Sequence, residues 1–292
     1  LPARTADVVA RGAGPVTPSR IYRLTSIGRP LEPAYPTNRT VIWLLGVAAL
    51  LGGLTWAGQH GAGWGLLGAA VNALLAAFGG WALARELAPD HERTAFVALG
   101  FALGTTLILE GSPVLPLFVA LFLVRIVNRS VGLPARISDS ILVSVLAIGA
   151  AWLFDSSWLA LLAALAFMID AVLPPGLTRQ RLFTGLCAVA AFLLFTAESQ
   201  VPARFMPATA VERWLPVVIA VGFVIVILLT RRVDARGDAT GEPLSLARVR
   251  AGMWVGLFAA AQSLLGGPED IRNLALVWAS LAGTALHRPL PA

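Results

Sequence analysis

From Val41 almost to the C-terminus, apolar runs follow one another with only short polar breaks. A backbone buried in lipid has no water to bond with, so each run must satisfy its own N–H and C=O groups, as a helix does. The period-two alternation of barrel strands is absent. The pattern predicts an all-α, polytopic integral membrane protein with about ten transmembrane helices arranged as five helical hairpins. The spans fall near 41–57, 64–84, 95–109, 113–128, 140–154, 157–173, 182–197, 214–230, 251–266 and 271–286. Several are shorter than the ~20 residues of an ordinary span. Their polar ends must therefore snorkel, or the helices must sit inside a bundle where the bilayer thins.

Composition agrees. Only 13% of residues are charged, against about 25% in soluble domains. The mean hydropathy is +0.77. All 22 basic residues are arginine, and with abundant Ala and Gly this points to a GC-rich bacterial genome. The formal charge of +6 is explained by topology rather than by a nucleic-acid partner. With the N-terminus inside, the inner segments hold 19 arginines and the outer loops only Arg204, Arg213 and Arg272. That asymmetry is what the positive-inside rule expects. It places the chain in the inner membrane with both termini cytoplasmic. Trp56 and Trp64 flank the first outer loop, and Trp152 and Trp158 the third, as interfacial residues do.

Two regions are expected, a basic Pro-rich cytoplasmic tail at 1–40 and a transmembrane helical domain at 41–292. Six prolines between Pro2 and Pro36 preclude a continuous helix in the tail, and its few apolar residues do not make a signal peptide. The tail should be extended apart from one short turn. If ordered, it should be tied down by arginine contacts to the inner face or to a protein partner. Anionic lipid headgroups are the other expected partners.

The outer turns repeat an acidic residue: Glu110, Asp155, Glu198, and Glu269 with Asp270. Capping of the returning helices explains them; a ring of acids drawing cations to an outer mouth is the sharper alternative. The glycine pairs Gly61/Gly65 and Gly100/Gly104 have the spacing of close helix packing.

Three inner segments carry candidate chemistry. In 85–93, Asp90, His91 and Glu92 are the candidate catalytic residues, since a carboxylate beside a histidine can do acid–base work. A solvated turn is the plainer reading. In 125–139, Arg125, Asn128, Arg129 and Arg136 could hold a lipid phosphate, or simply anchor the inner face. The arginines of 231–250 read as a headgroup anchor. Arg125 is distinctive because it lies inside an apolar run. Glu110 and Asp155 are equivalent by register, which puts Arg125 and Asp170 at equal depth on neighbouring hairpins. An intramembrane charge seeks a partner, so an Arg125–Asp170 ion pair is expected.

Neither metal nor cofactor is expected. His60, His91 and His287 are too few for two haem ligand pairs, and Cys187 is the single cysteine. No zincin motif, nucleophile elbow or Walker loop is present. The leading expectation is a non-enzymatic, transporter-like or structural subunit of a membrane complex. The alternatives are an enzyme acting on a lipid-linked phosphate at the cytoplasmic face, and a solute carrier or pore. Geometry separates them. The enzyme needs 85–93 and 125–139 to converge on one pocket, and the carrier needs a polar cavity near mid-depth beside a broken helix.

Overall fold

The computed structural model describes residues 20–109, 111–197 and 210–286. Residues 1–19 of the tail, Glu110, Glu198, Arg204, His287 and Arg288 lie outside the described residues, as does the side chain of Arg213. The described chain is all-α. Its helices are α1 (Pro36–His60), α2 (Gly65–Leu87), α3 (Glu92–Ile108), α4 (Leu115–Asn128), α5 (Ile137–Leu153), α6 (Ser157–Val172), α7 (Gln180–Ala197), α8 (Ala210–Leu229), α9 (Leu246–Ala261), α10 (Pro268–Asn273) and α11 (Ala275–Leu286). The only β feature among the described residues is an isolated bridge between Arg236 and Pro243.

Local chemistry sets the boundaries. Pro36 opens α1 and Pro116 lies in the first turn of α4, where a missing N–H costs nothing. Gly61, at φ 78°, ends α1, and Pro174 and Pro175 follow the end of α6. The expected last span is broken into α10 and α11, and α9 finishes in a short 3-10 turn at Gln262–Leu264.

Among the described residues three helices, α1, α2 and α7, are long and apolar enough to cross a membrane, which is fewer than ten. Helices α4, α5, α6 and α11, with the Trp214–Leu229 part of α8, are apolar but shorter. Burial explains the short helix at the centre. Eleven residues of α4 are buried, because α2, α5, α6, α9 and α11 all pack around it. Its ends meet protein, so its length need not match a bilayer. The outer faces of α1, α5, α7 and α8 are apolar and exposed, with Trp43, Val145, Phe192 and Val218 among them. Apolar surface this extensive is not left to water.

The five-hairpin arrangement holds only in part. The pairs α1–α2, α5–α6 and α9–α11 pack together, but α3 lies mainly between α2 and α11, while α4 packs on α9, α2 and α6. Small residues draw α3 away from α4. A Cβ on Gly80 would meet the Ala102 methyl at 2.6 Å, and one on Gly283 would lie 2.5 Å from the Ala98 Cα. The glycines singled out by spacing behave differently. Gly100 and Gly104 have open space where a Cβ would go, and Gly65 makes room only for the Trp56 ring.

Residues 20–35 do not continue α1. They form one 3-10 turn at Arg20–Arg23 and then an irregular strap across the end of the bundle where α2, α4 and α6 finish and α5, α7 and α9 begin. The connection between α8 and α9 covers the same end. It docks on 130–132 through the Ala239 N–H, which donates to the Val131 carbonyl at 2.9 Å.

Candidate functional site: buried ion pairs at the basic end

Carboxylates and guanidinium groups gather at this end in two buried clusters. In the first, Glu86 projects from the last turn of α2 with its side chain fully buried. Its Oε1 accepts from Arg125 Nε of α4 at 3.0 Å and from Arg29 Nη1 of the strap at 3.2 Å. Arg29 also grips Asp238 of the α8–α9 connection in a two-point pair, Nε to Oδ2 at 2.5 Å and Nη2 to Oδ1 at 2.9 Å. Burial disfavours the Arg29 charge, but Glu86 and Asp238 outweigh it and hold its pKa above the ordinary arginine value. Arg125 Nη1 donates to the Ile27 carbonyl at 2.9 Å, and Asn128 Nδ2 to the Glu86 carbonyl at 2.8 Å. Strap, α2, α4 and the α8–α9 connection are thus joined through two carboxylates.

The second cluster is built on Asp170 of α6, which is fully buried. Its Oδ1 accepts from Arg129 Nε at 2.9 Å and from Arg248 Nη1 of α9 at 2.7 Å, and its Oδ2 accepts from Gln180 Nε2 of α7 at 3.1 Å. Gln180 Oε1 accepts in turn from Ser140 Oγ of α5 at 3.0 Å. Arg248 also donates to the carbonyls of Val127, Leu173, Pro174 and Pro175. It therefore closes the C-terminal ends of both α4 and α6, where free carbonyls favour a cation. Arg129 reaches Asp170 because α4 ends on it in the left-handed region, at φ 50°. That backbone costs a non-glycine residue about 1 kcal/mol or more, offset here by a charge-assisted bond.

A third buried carboxylate, Asp139 at the start of α5, fastens the strap without an arginine. It accepts from Thr25 Oγ1 at 2.7 Å, from the Ser26 N–H at 2.7 Å and from Ser26 Oγ at 2.6 Å. Arg136 Nη2 donates to the Tyr22 carbonyl at 3.1 Å. Tyr22 itself has its pKa raised, by burial first and then by the Asp238 charge.

The expected Arg125–Asp170 pair is not formed. Both side chains are buried at the same end of the bundle, but Arg125 bonds to Glu86, and Asp170 to Arg129 and Arg248. Lateral adjacency decides the partner: α4 presents Arg125 toward Glu86 of α2 and Arg129 toward Asp170 of α6. The phosphate candidates change meaning accordingly. Arg125 and Arg129 are engaged by carboxylates and Arg136 by the strap, leaving Asn128 as the only one of the four that lines a cavity.

The catalytic candidates diverge. Asp90 Oδ1 accepts the N–H groups of Asp234 and Ala235 at 3.0 and 2.7 Å, holding the α8–α9 connection. Glu92 pairs with Arg85 at 2.9 Å near the surface. His91 lies before α3, and its carbonyl accepts from Thr94 Oγ1 at 2.6 Å. Among the described residues no group of three His, Cys, Asp or Glu could hold a metal. Of the outer-turn acids, Asp270 has a capping role, its Oδ2 accepting the Gly267 N–H at 3.0 Å.

One polar cavity, of about 180 Å³, lies beside the first cluster. Arg29, Arg85, Glu86, Asn128, Ser130, Arg236 and Asp238 line it with Pro89, Ala235 and Leu244. Segments 85–93 and 125–139 do meet there, but apart from Asn128 through residues that the sequence reading left aside. Glu86, Arg29, Asp238 and Arg248 were all missed as site residues. A signal existed for Glu86, a lone acid within one residue of an apolar run. None existed for Asp238, which reaches the site through a long connection. The sequence matches no protein-family model, no curated protein and no solved structure.

Proposed function

We propose that the chain is a ten-pass protein of the bacterial inner membrane, with both termini in the cytoplasm, serving as a non-enzymatic structural subunit of a membrane complex. The observation that carries this reading is the interlocking of the basic end. Buried charges from α2, α4, α6 and α9 neutralise one another, and the strap and the α8–α9 connection are pinned over them. Such a network fixes relative helix positions. The arginine asymmetry supports the orientation, since the clustered end is the one rich in arginine. The exposed apolar faces of α1 and α7 supply surface for lipid and for a partner subunit.

An enzyme acting on a lipid-linked phosphate has one observation in its favour, the meeting of 85–93 and 125–139 at one cavity. Against it, Asp90, His91 and Glu92 do not line that cavity, and Glu86 is engaged by two arginines. A carrier would need polarity at mid-depth, where α4 instead buries Leu117, Leu121 and Val124.

Photo-crosslinking residues placed at Trp43 of α1 and Phe192 of α7 test the proposal in native membranes. A subunit gives a discrete crosslinked species containing a second polypeptide from at least one face. Crosslinks to lipid alone from both faces would overturn it.

A further inference from the structure

The two buried clusters differ in what holds them. Asp170 takes its partners from the end of α4, from α7 and from α9. Three other carboxylates accept from the strap: Glu86 from Arg29, Asp238 from Arg29, and Asp139 from Thr25 and Ser26. Lifting the strap would leave none of these three bare. Glu86 keeps Arg125 at 3.0 Å, and Arg125 gives up only the Ile27 carbonyl. Asp139 keeps the Arg136 N–H at 3.3 Å and its place in the first turn of α5, where the helix dipole favours an acid. The Asp238 side chain is already 29% exposed and passes to water. The apolar grip of the strap is small. Of residues 21–35 only Tyr22, Ser26 and Ile27 are buried, and Leu24 is exposed. Residues 32–35 are exposed as well, so the strap can lift while α1 stays packed on α2.

We propose that the surface under the strap is a docking site for an extended, arginine-bearing segment of a cytoplasmic partner protein, and that the strap is its built-in, displaceable occupant. Three acids gather beneath the strap at an end of the molecule otherwise rich in arginine, so charge complementarity selects a cationic segment there. The strap displays the pattern that is read. Two neighbouring hydroxyls, of Thr25 and Ser26, reach Asp139. The Ile27 side chain is buried behind them. An arginine three positions after the second hydroxyl then takes two carboxylates, with Nε and Nη2 on Asp238 and Nη1 on Glu86. One planar fork using three nitrogens specifies arginine over lysine. Thr25 Oγ1 also accepts the Ile27 and Gly28 N–H groups, both at 3.2 Å, so the segment carries its own turn. While the strap is seated, a partner's apparent affinity falls by the fraction of docks that are open, which makes the contact conditional on release. The proposal deepens the subunit reading and rests on it for the existence of a partner. Its test needs only the isolated chain, so the two can fail separately.

The test uses the full chain in an uncharged detergent and a fluorescent peptide with the sequence of residues 20–31 as the probe, followed by polarisation. Arg29→Gln in the chain loosens the strap's own hold and leaves the Glu86–Arg125 pair in place, so the peptide should bind about tenfold more tightly than to the unaltered chain, the effect of one lost charge-assisted bond. Replacing both Thr25 and Ser26 by Ala loosens the strap from its other end and should act in the same direction, which keeps the test open if Arg29→Gln does not fold. Damage to the dock has the opposite sign. Adding Asp238→Asn, on the exposed connection, to the Arg29→Gln chain should weaken the peptide about tenfold. The same loss is expected when Gln replaces Arg29 in the peptide. A scrambled peptide of identical composition should bind at least about tenfold more weakly than the ordered one. Peptide binding that does not tighten in either loosened chain would overturn the proposal. So would equal binding of the scrambled peptide, or indifference to Asp238→Asn.

Discussion

Asp170 is the residue on which most depends locally, because one carboxylate serves two arginines and a glutamine. Removing its charge leaves Arg129 and Arg248 buried together with like sign, and breaking a buried pair from one side costs about 3–5 kcal/mol. Asp170→Asn keeps the shape and should lower stability by that amount, read as a fall in midpoint during denaturation in detergent. A double-mutant cycle separates the two clusters. Asp170→Asn and Arg248→Gln share a bond and should be non-additive by about 0.5–3 kcal/mol, whereas Asp170→Asn and Arg125→Gln share none and should add within about 0.5 kcal/mol. Coupling of Arg125 to Asp170 in that cycle would restore the pairing inferred from register. That inference shows what was legible. The sequence marked both residues as buried charges needing partners, and it placed them at one depth. It hid the true partners through helix boundaries: the span read as ending at 84 is a helix to Leu87 that carries Glu86, and the span read from 251 begins at Leu246 and carries Arg248. Polar residues at helix ends look like loop residues until the fold buries them.

Among the elements, the helix positions were largely readable, because the first nine apolar runs each hold one helix, while the tenth is broken at Leu274 into α10 and α11. Their lateral arrangement was not. Alanine and glycine faces decide it, and in a chain with 28 glycines the spacing of any pair says little. Gly283 and Gly100 make the contrast measurable. A methyl at Gly283 would sit 2.5 Å from the Ala98 Cα, so Gly283→Ala must push α11 away from α3. A loss of about 1–3 kcal/mol is expected, as for other overpacked cores. Gly100 is exposed on α3 with nothing within 4 Å of the added carbon. There the same change should be neutral or stabilising by up to about 1 kcal/mol, the difference in helix propensity. Thermal denaturation of both variants in one detergent checks the sign as well as the size. Equal losses would mean that α3 is packed differently.

For the whole molecule, the proposed topology has a consequence in parity. Gly63 lies in the turn between α1 and α2, and Glu269 in α10 near the far end of the chain; both are exposed. In the ten-pass arrangement eight crossings separate them, so both face outward. Any reading in which an odd number of the short helices α4, α5 and α6 fails to cross would put them on opposite sides. Glu32 of the strap and Arg231 after α8, also exposed, belong to the opposite face. In that proposed topology 19 arginines lie inside and three outside, which makes the orientation expensive to invert, since short basic loops resist translocation. The chain has one cysteine, Cys187, so Cys187→Ala gives a background free of thiols. Single cysteines at 63 and 269 should then react with a membrane-impermeant maleimide on intact spheroplasts. Those at 32 and 231 should react only after permeabilisation. Labelling at 63 without 269 would remove one crossing from the bundle, and labelling at 231 from outside would reverse it, moving the arginine clusters and the cavity they line to the outer face.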